Sequence, residues 1–267
     1  MLSDPIKKNN VTISGNLLSG STLIFSHGFG TDQTSWTRVV PAFEQDHRVI
    51  RYDNTGGGKA DPDAFSPNKY DTLDSYADDL VDICESLRVR DAVMIAHSVS
   101  GMISLITSLR NPEYFKKIVL VGASPRYLND IPYIGGLNQS DLEDLYQAMN
   151  NNYFAWVSGF AAMAMENPEN PQLAESFAST LASIRPDIAQ SVAKVIFESD
   201  YRHLLKDVDT STLILQTEHD IAVPRETAEY LHRHIKDSKL AIIDARGHFP
   251  QISAPAEIIK AIKEFIG

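Results

Sequence analysis

A serine, a histidine and an aspartate stand where their side chains could act together as nucleophile, base and orienting acid. Ser98 lies in the turn AHSVSG (96–101), between the apolar strand AVMIAH and a helix. This order of strand, nucleophile and helix is typical of a nucleophile elbow, whose tight turn needs small residues two positions before and after the serine. Ala96 and Ser100 are small, although glycine is usual at both positions. The turn therefore indicates a nucleophilic serine, with a serine that only caps the helix as the alternative.

The base and the acid follow from chain order. A serine hydroxyl is a weak nucleophile and needs a base, which in turn needs an orienting acid. In a nucleophile-elbow fold the order is serine, then aspartate or glutamate, then histidine, each at the carboxyl end of a strand. Asp220 follows TLILQTEH and His248 follows KLAIIDARG, so we expect both at the same sheet edge as Ser98. Glu218, on the same loop as Asp220, is the alternative acid.

A glycine-containing turn supplies the groups for an oxyanion hole. The tetrahedral intermediate of acyl transfer carries a negative oxygen that needs two N–H donors. HGFG (27–30) follows the strand STLIFS, and its glycines let the backbone turn its amides toward the site. We therefore predict that the N–H groups of Phe29 and Val99 form the oxyanion hole. HGFG alone is a weak motif, and its position relative to Ser98 carries the prediction.

The elements that must position these residues alternate between short strands and longer helices. Helix-period segments lie at 34–43, 72–88, 100–110, 225–235 and 255–266. Six apolar runs predict strands that are buried on both faces: STLIFS, HRVIRYD, AVMIAH, KIVLVGAS, TLILQT and KLAIID. This alternation predicts an α/β fold with a mostly parallel, doubly wound sheet.

The alternation breaks between Ser124 and Thr212, where about 75 residues show helical spacing and no convincing strand. Pro168, Pro171 and Pro186 punctuate this segment and suggest four amphipathic helices. We predict one domain over 1–267, with 1–125 and 205–267 as the core and about 126–204 as a helical lid over the carboxyl edge of the sheet.

Composition and charge exclude several classes of partner. The formal net charge of −11 opposes binding to nucleic acid or anionic lipid. The segment MLSDPIKKNN has no apolar stretch, and no run of about 18 residues lacks polar interruption, so we expect no signal peptide, no membrane span and a cytoplasmic protein. A single cysteine, Cys84, allows no intrachain disulfide. His232 and His234 fall on different helix faces, so we expect no metal site and no cofactor.

Longer strings of the sequence resemble a known family. HGFGTDQTSW, RYDNTGGG, HSVSGMI, GASPRYLND, NYFAWVSGFA, RPDIAQSVAKVIFESD and GHFPQIS are similar to the RsbQ-type bacterial stress regulators and to the plant karrikin and strigolactone receptors, which are α/β-hydrolases. The similarity spans essentially the whole chain. SPRYLND and the RPDIA segment are far more specific than the triad motifs.

The resemblance implies a V-shaped lid of four helices, inserted after the sixth strand, over a mostly apolar pocket. It implies slow hydrolysis of small esters or butenolides, coupled in many members to signalling through a protein partner. It supports Ser98, Asp220 and His248 position by position. It also suggests a set of pocket-lining residues: Phe29, Tyr127, Trp156, Phe160, Phe197, Ile221 and Ala222.

Departures from the family pattern leave alternatives open. The plant receptors usually have GGF before the first lid helix, whereas this chain has Gly135, Gly136 and Leu137, which changes the expected pocket volume. The first hypothesis is an enzyme that turns over esters or lactones. The second is a ligand-sensing module whose lid binds a partner while hydrolysis is incidental. A weaker third is C–C bond hydrolysis or perhydrolysis on the same fold.

Overall fold

The structure is a computed structural model that describes residues 4–267. The first three residues of MLSDPIKKNN, the segment behind the expected absence of a signal peptide, lie outside it. The strands are β1 Thr12–Gly15, β2 Thr22–Ser26, β3 Arg48–Tyr52, β4 Ala92–His97, β5 Phe115–Val121, β6 Ser211–His219 and β7 Ser238–Arg246. The helices are α1 Pro5–Lys8, α2 Leu73–Ser86, α3 Val99–Arg110, α4 Gln139–Asn151, α5 Tyr153–Met165, α6 Pro171–Ala182, α7 Pro186–Phe197, α8 Arg225–His234, α9 Pro250–Ser253 and α10 Pro255–Ile266.

The strands form one sheet in the order β1-β3-β2-β4-β5-β6-β7. All neighbouring pairs are parallel except β1 and β3, which are antiparallel. The chain reverses direction across the sheet between β3 and β4, with β2 beside both. In open α/β sheets, ligands bind at the carboxyl ends of the strands near such a reversal, and this is where β2 and β4 end.

Both faces of the sheet are covered by apolar side chains. Along β4, Met94 and Ala96 belong to one buried cluster, which includes side chains of α2 and α3. Val93 and Ile95 belong to a second cluster on the opposite face, which includes side chains of α10. Because successive strand residues point to opposite faces, this arrangement requires a continuous apolar run. The predicted doubly wound α/β fold is confirmed.

Two sequence-based expectations for the fold are wrong. The helical insertion follows the fifth strand rather than the sixth, because only one strand, β1, precedes β2 within residues 4–267. The helix expected over 34–43 is instead two short 3₁₀ turns, Gln33–Trp36 and Val40–Ala42. Pro41 lies in the second turn, where its missing N–H and fixed ring disfavour a continuous α-helix.

Four helices, α4 to α7, lie between β5 and β6 and are called the helical insertion below. α6 and α7 begin at Pro171 and Pro186, where a proline suits the first helical position because that residue's N–H has no partner in any case. α5 packs against α4 and α6, and α4 also contacts α7. No helix within residues 4–267 is long and apolar enough to cross a membrane.

Candidate active site

Ser98 occupies the sharp turn between β4 and α3. Its backbone has φ 56° and ψ −126°, a strained conformation for a residue other than glycine. The Ser98 N–H donates to the carbonyl oxygen of Val121 at the end of β5 (2.8 Å), so the turn is fixed to the neighbouring strand. This conformation presents the hydroxyl at the carboxyl edge of the sheet, as a nucleophile elbow does.

The ring of His248 connects Ser98 to Asp220. Its Nε2 lies 2.9 Å from Ser98 Oγ, and its Nδ1 lies 2.8 Å from Asp220 Oδ2. Because a carboxylate only accepts, Nδ1 carries the proton, and Nε2 is left to accept from the serine hydroxyl. The carboxylate itself is held by the backbone N–H groups of Ala222 (2.8 Å) and Val223 (3.1 Å), which donate to Oδ1.

The position of Glu218 differs from that of Asp220. Glu218 is exposed at the end of β6, whereas the Asp220 side chain is only 2% exposed and faces His248. Gln216 Nε2 also donates to Asp220 Oδ2 (3.2 Å). The structure thus brings Asp220, and not Glu218, against the imidazole.

The HGFG turn lies against the serine. An ideal Cβ at Gly28 would be 2.9 Å from Ser98 Cβ and 2.6 Å from His97 Nδ1, so only glycine fits at this close approach. Among residues 4–267, neither the Phe29 N–H nor the Val99 N–H donates to another protein group. Both predicted donors are therefore free to stabilise an oxyanion.

Polar groups behind the turn hold it in place. Asn54 N–H donates to His27 Nε2 (2.9 Å), and Asn54 Nδ2 donates to the His27 carbonyl oxygen (3.0 Å). Ser100 Oγ donates to the same carbonyl oxygen (2.6 Å). The serine that replaces glycine in the elbow motif therefore fixes the turn that carries Phe29.

His97 supports the loop that carries His248 from inside the protein. Its Nε2 lies 2.7 Å from the carbonyl oxygen of His248 and must carry the proton, because a carbonyl only accepts. Complete burial, aided by the neighbouring His248, holds the pKa of His97 well below its usual range, so the ring is neutral. The backbone N–H of His248 in turn donates to the carbonyl oxygen of Ala164 on α5 (2.7 Å).

An apolar cavity opens at Ser98 and His248. Phe29, Tyr127, Phe160, Phe197 and Ala222, all predicted from the family resemblance, line it. Two predicted residues lie elsewhere. Ile221 is 54% exposed and does not line the cavity, because the side chain of Ala222 turns inward instead. Trp156 stacks on Phe160 at 5.1 Å between ring centroids and so lies behind the wall.

Two wall residues were missed by the sequence analysis, and Tyr127 does more than line the cavity. Ile196 and Phe249 complete the wall; they directly adjoin the predicted residues Phe197 and His248. Tyr127 Oη lies 3.3 Å from Ser98 Oγ. Burial raises the pKa of Tyr127 well above its usual value, so its hydroxyl keeps the proton and can donate a hydrogen bond at neutral pH.

The residues of the site are suited to acyl transfer. Within the described part of the chain, no three His, Cys, Asp or Glu side chains cluster closely enough to hold such an ion. A hydroxyl, an imidazole and a carboxylate in one hydrogen-bonded row, beside two free N–H groups, can activate a nucleophile and stabilise an oxyanion.

Comparison with known proteins identifies the class. A family model for the alpha/beta hydrolase fold matches residues 21–255, so the chain belongs to the α/β hydrolase family. A hydrolase structure from Oleispira antarctica superposes with a TM-score of 0.95 at 33% identity and covers 98% of this chain and 96% of that one.

Two curated relatives place the chain more closely. A karrikin insensitive 2 receptor of Petunia hybrida is 42% identical over 259 residues, which cover 97% of this chain and 95% of the receptor. Strigolactone esterase D14 of Arabidopsis thaliana is 42% identical over 256 residues, which cover 95% of this chain and 94% of the esterase. These matches confirm the family resemblance predicted from the sequence.

Proposed function

We propose that the protein is a serine hydrolase of small apolar esters, lactones or butenolides. The observation that carries the proposal is the His248 ring, which lies 2.8 Å from Asp220 and 2.9 Å from Ser98. The strigolactone esterase among its relatives supports the same reaction. The apolar walls favour an uncharged substrate, because an ion would lose its hydration in the cavity.

In this reaction Ser98 Oγ attacks the carbonyl carbon while His248 Nε2 takes the hydroxyl proton. Asp220 keeps Nδ1 protonated and stabilises the imidazolium that forms. The N–H groups of Phe29 and Val99 donate to the oxyanion. His248 then gives its proton to the leaving alcohol oxygen, and water releases the acyl group from Ser98 by the same steps in reverse.

We assign the helical insertion the role of a lid, within the boundaries 126–204. Phe160 of α5 and Ile196 and Phe197 of α7 form one side of the cavity. A bound ester is thereby shielded from water by helices and held to the sheet by its carbonyl group. Hydrolysis then requires the helices to let substrate in and product out.

Ligand sensing is a second candidate function, favoured by the receptor among the relatives. In this function the insertion binds a signalling protein when ligand is present. α5 is not the amphipathic helix expected from the sequence, because apolar side chains surround it and Ser158 is its one polar residue; its Phe154 and Met163 are 62% and 54% exposed. A signalling protein that binds α5 would cover one or the other of these side chains.

Labelling of the serine tests the hydrolase. We expect a fluorophosphonate probe to label the wild type and Ser104→Ala, and p-nitrophenyl acetate to be turned over by both. Ser104 is a matched control, because it is a buried serine on α3 whose hydroxyl donates to Gly101. Ser98→Ala should lose labelling and at least about 10³-fold in kcat. Labelling that persists in Ser98→Ala would contradict the assignment.

The sensing function needs a separate experiment. A butenolide panel followed by intact-mass spectrometry should show an adduct on Ser98 or His248 if ligand is captured covalently. Pull-down with and without the same ligands should then recover a partner only in the ligand's presence. Turnover with no adduct and no ligand-dependent partner would contradict the sensing function and leave hydrolysis as the only supported function.

A further inference from the structure

A second cavity lies beside the one at Ser98. The two share Phe29 and Ile196 as a common wall. Both cavities are narrow, because the centre of a water-sized sphere can move through only about 30 Å³ of the second and about 20 Å³ of the first. No step of the reaction proposed above involves this second cavity.

The second cavity adjoins the oxyanion side of Ser98. Its walls include Gly28 and Phe29 of the HGFG turn and Val99, the residue after the serine. His248 and Asp220, which lie on the other side of Ser98, do not line it. The cavity thus extends from the site in a direction away from the imidazole.

The geometry of the tetrahedral intermediate decides which part of an ester faces this cavity. Besides Ser98 Oγ, the carbonyl carbon carries the oxyanion, the leaving oxygen and the acyl chain. The oxyanion points to the Phe29 and Val99 N–H groups, and the leaving oxygen must face His248 Nε2 to receive its proton. The acyl chain takes the remaining direction, away from His248 Nε2 and from the two N–H groups.

We propose that the second cavity is an acyl-chain subsite, which takes an unbranched hydrocarbon chain of the ester once the Phe29 side chain turns aside. This inference rests on the proposed hydrolase and names its substrate class. Phe29 stands between two glycines and is only half-buried, so its ring has room to move. Its contact with Phe197 is a single edge-on one, with 6.3 Å between ring centroids.

The walls are suited to hydrocarbon. The wall includes the aliphatic side chains of Leu73, Ile103, Ile184, Val192 and Ile196, and no Asp, Glu, Lys or Arg of residues 4–267 lines it. Of the hydroxyl groups in the wall, those of Thr31 and Thr55 already donate to Gly28 and Asp79, and that of Tyr76 has no partner among residues 4–267. Burial of one methylene group in such walls raises kcat/KM by about fourfold.

Chain-length dependence of hydrolysis tests the subsite. For the wild type we expect kcat/KM to be higher for p-nitrophenyl hexanoate than for p-nitrophenyl acetate. Val192→Trp fills the cavity and should lower kcat/KM for hexanoate at least about tenfold while acetate changes less than about twofold. Val195→Trp is the matched control, because Val195 is a half-buried valine on the same helix that lines a surface depression instead. Val195→Trp should change kcat/KM for either substrate by no more than about twofold.

Val192→Ala enlarges the cavity and should shift the preference toward octanoate, which decides the question if Val192→Trp does not fold. An unchanged hexanoate-to-acetate ratio in Val192→Trp, or an equal change in Val195→Trp, overturns the subsite.

The proposed function and the subsite fail in different ways. If the wild type hydrolyses no ester, the hydrolase proposal fails, and binding of methyl hexanoate to Ser98→Ala decides the subsite by itself. Calorimetry should then show binding to Ser98→Ala and at least about tenfold weaker binding to the same protein carrying Val192→Trp. Equal binding by both proteins overturns the subsite without any turnover.

Discussion

The carboxyl edge of the sheet and the helical insertion meet at Ser98, but they are built in different ways. Every residue of β4 is buried, and Ser98, which follows β4, is tied by backbone and side-chain hydrogen bonds to β5 and to His248. α5 of the insertion instead leaves Phe154 and Met163 more than half exposed. Mutations at the sheet edge should therefore change the rate of the chemical step, and mutations in the insertion should change which ligand binds.

The largest effect should come from substitution of Asp220, the proposed orienting acid. Asp220→Asn should lower kcat by about 10⁴-fold, because an amide donates to Nδ1 and leaves His248 in the wrong tautomer. Glu218→Gln, at the exposed end of β6 just before Asp220, should change kcat by less than about twofold. Steady-state hydrolysis of p-nitrophenyl acetate measures both. A loss of kcat in Glu218→Gln as large as in Asp220→Asn would contradict the assignment of Asp220 as the orienting acid.

A smaller effect is expected at His97, which acts on the loop of His248 rather than on substrate. His97→Leu leaves the buried His248 carbonyl without its donor, at a cost of about 1–3 kcal/mol. We expect kcat to fall about tenfold with KM unchanged. His97→Gln can place an amide donor in a similar position and should recover part of the rate. Equal loss in both variants, or a change in KM alone, would exclude this positioning role.

The smallest effect should come from the insertion. Phe160→Leu removes part of the cavity wall and about 1 kcal/mol of apolar contact, equal to about fivefold in KM. The rate of fluorophosphonate labelling at saturation should stay near that of the wild type. Phe154→Leu, on the same helix but exposed, should leave both unchanged. A larger effect on kcat than on KM in Phe160→Leu would show that the insertion takes part in the chemical step.

The same difference explains how much of the fold could be predicted from sequence. Six strands were predicted because each is a near-continuous apolar run, as burial on both faces requires. β1 was not, because TISG is four residues long, ends in glycine and pairs only at the edge of the sheet. Because β1 was not recognised, the number of strands before the insertion could not be counted from the sequence pattern.

The candidate site was predictable where the sheet positions it. Ser98, Asp220 and His248 each follow an apolar strand, and the carboxyl ends of parallel strands meet at one edge. Residues on helices and loops were harder, because a rotation of a few tens of degrees decides whether a side chain faces the cavity. Trp156 and Phe160 are one helical turn apart, yet only Phe160 lines the cavity.

The hydrogen bond from the His248 N–H to the Ala164 carbonyl oxygen joins the proposed base to α5. An ideal Cβ at Gly247 would be 2.1 Å from the Met165 carbonyl oxygen, so the two backbones are in close contact there. A bond of this kind weakens steeply when it is stretched by about 1 Å. Displacement of α5 must therefore break it or move His248. Movement of the helix and the position of His248 are thus linked equilibria, and a change at either alters the other by the same free energy.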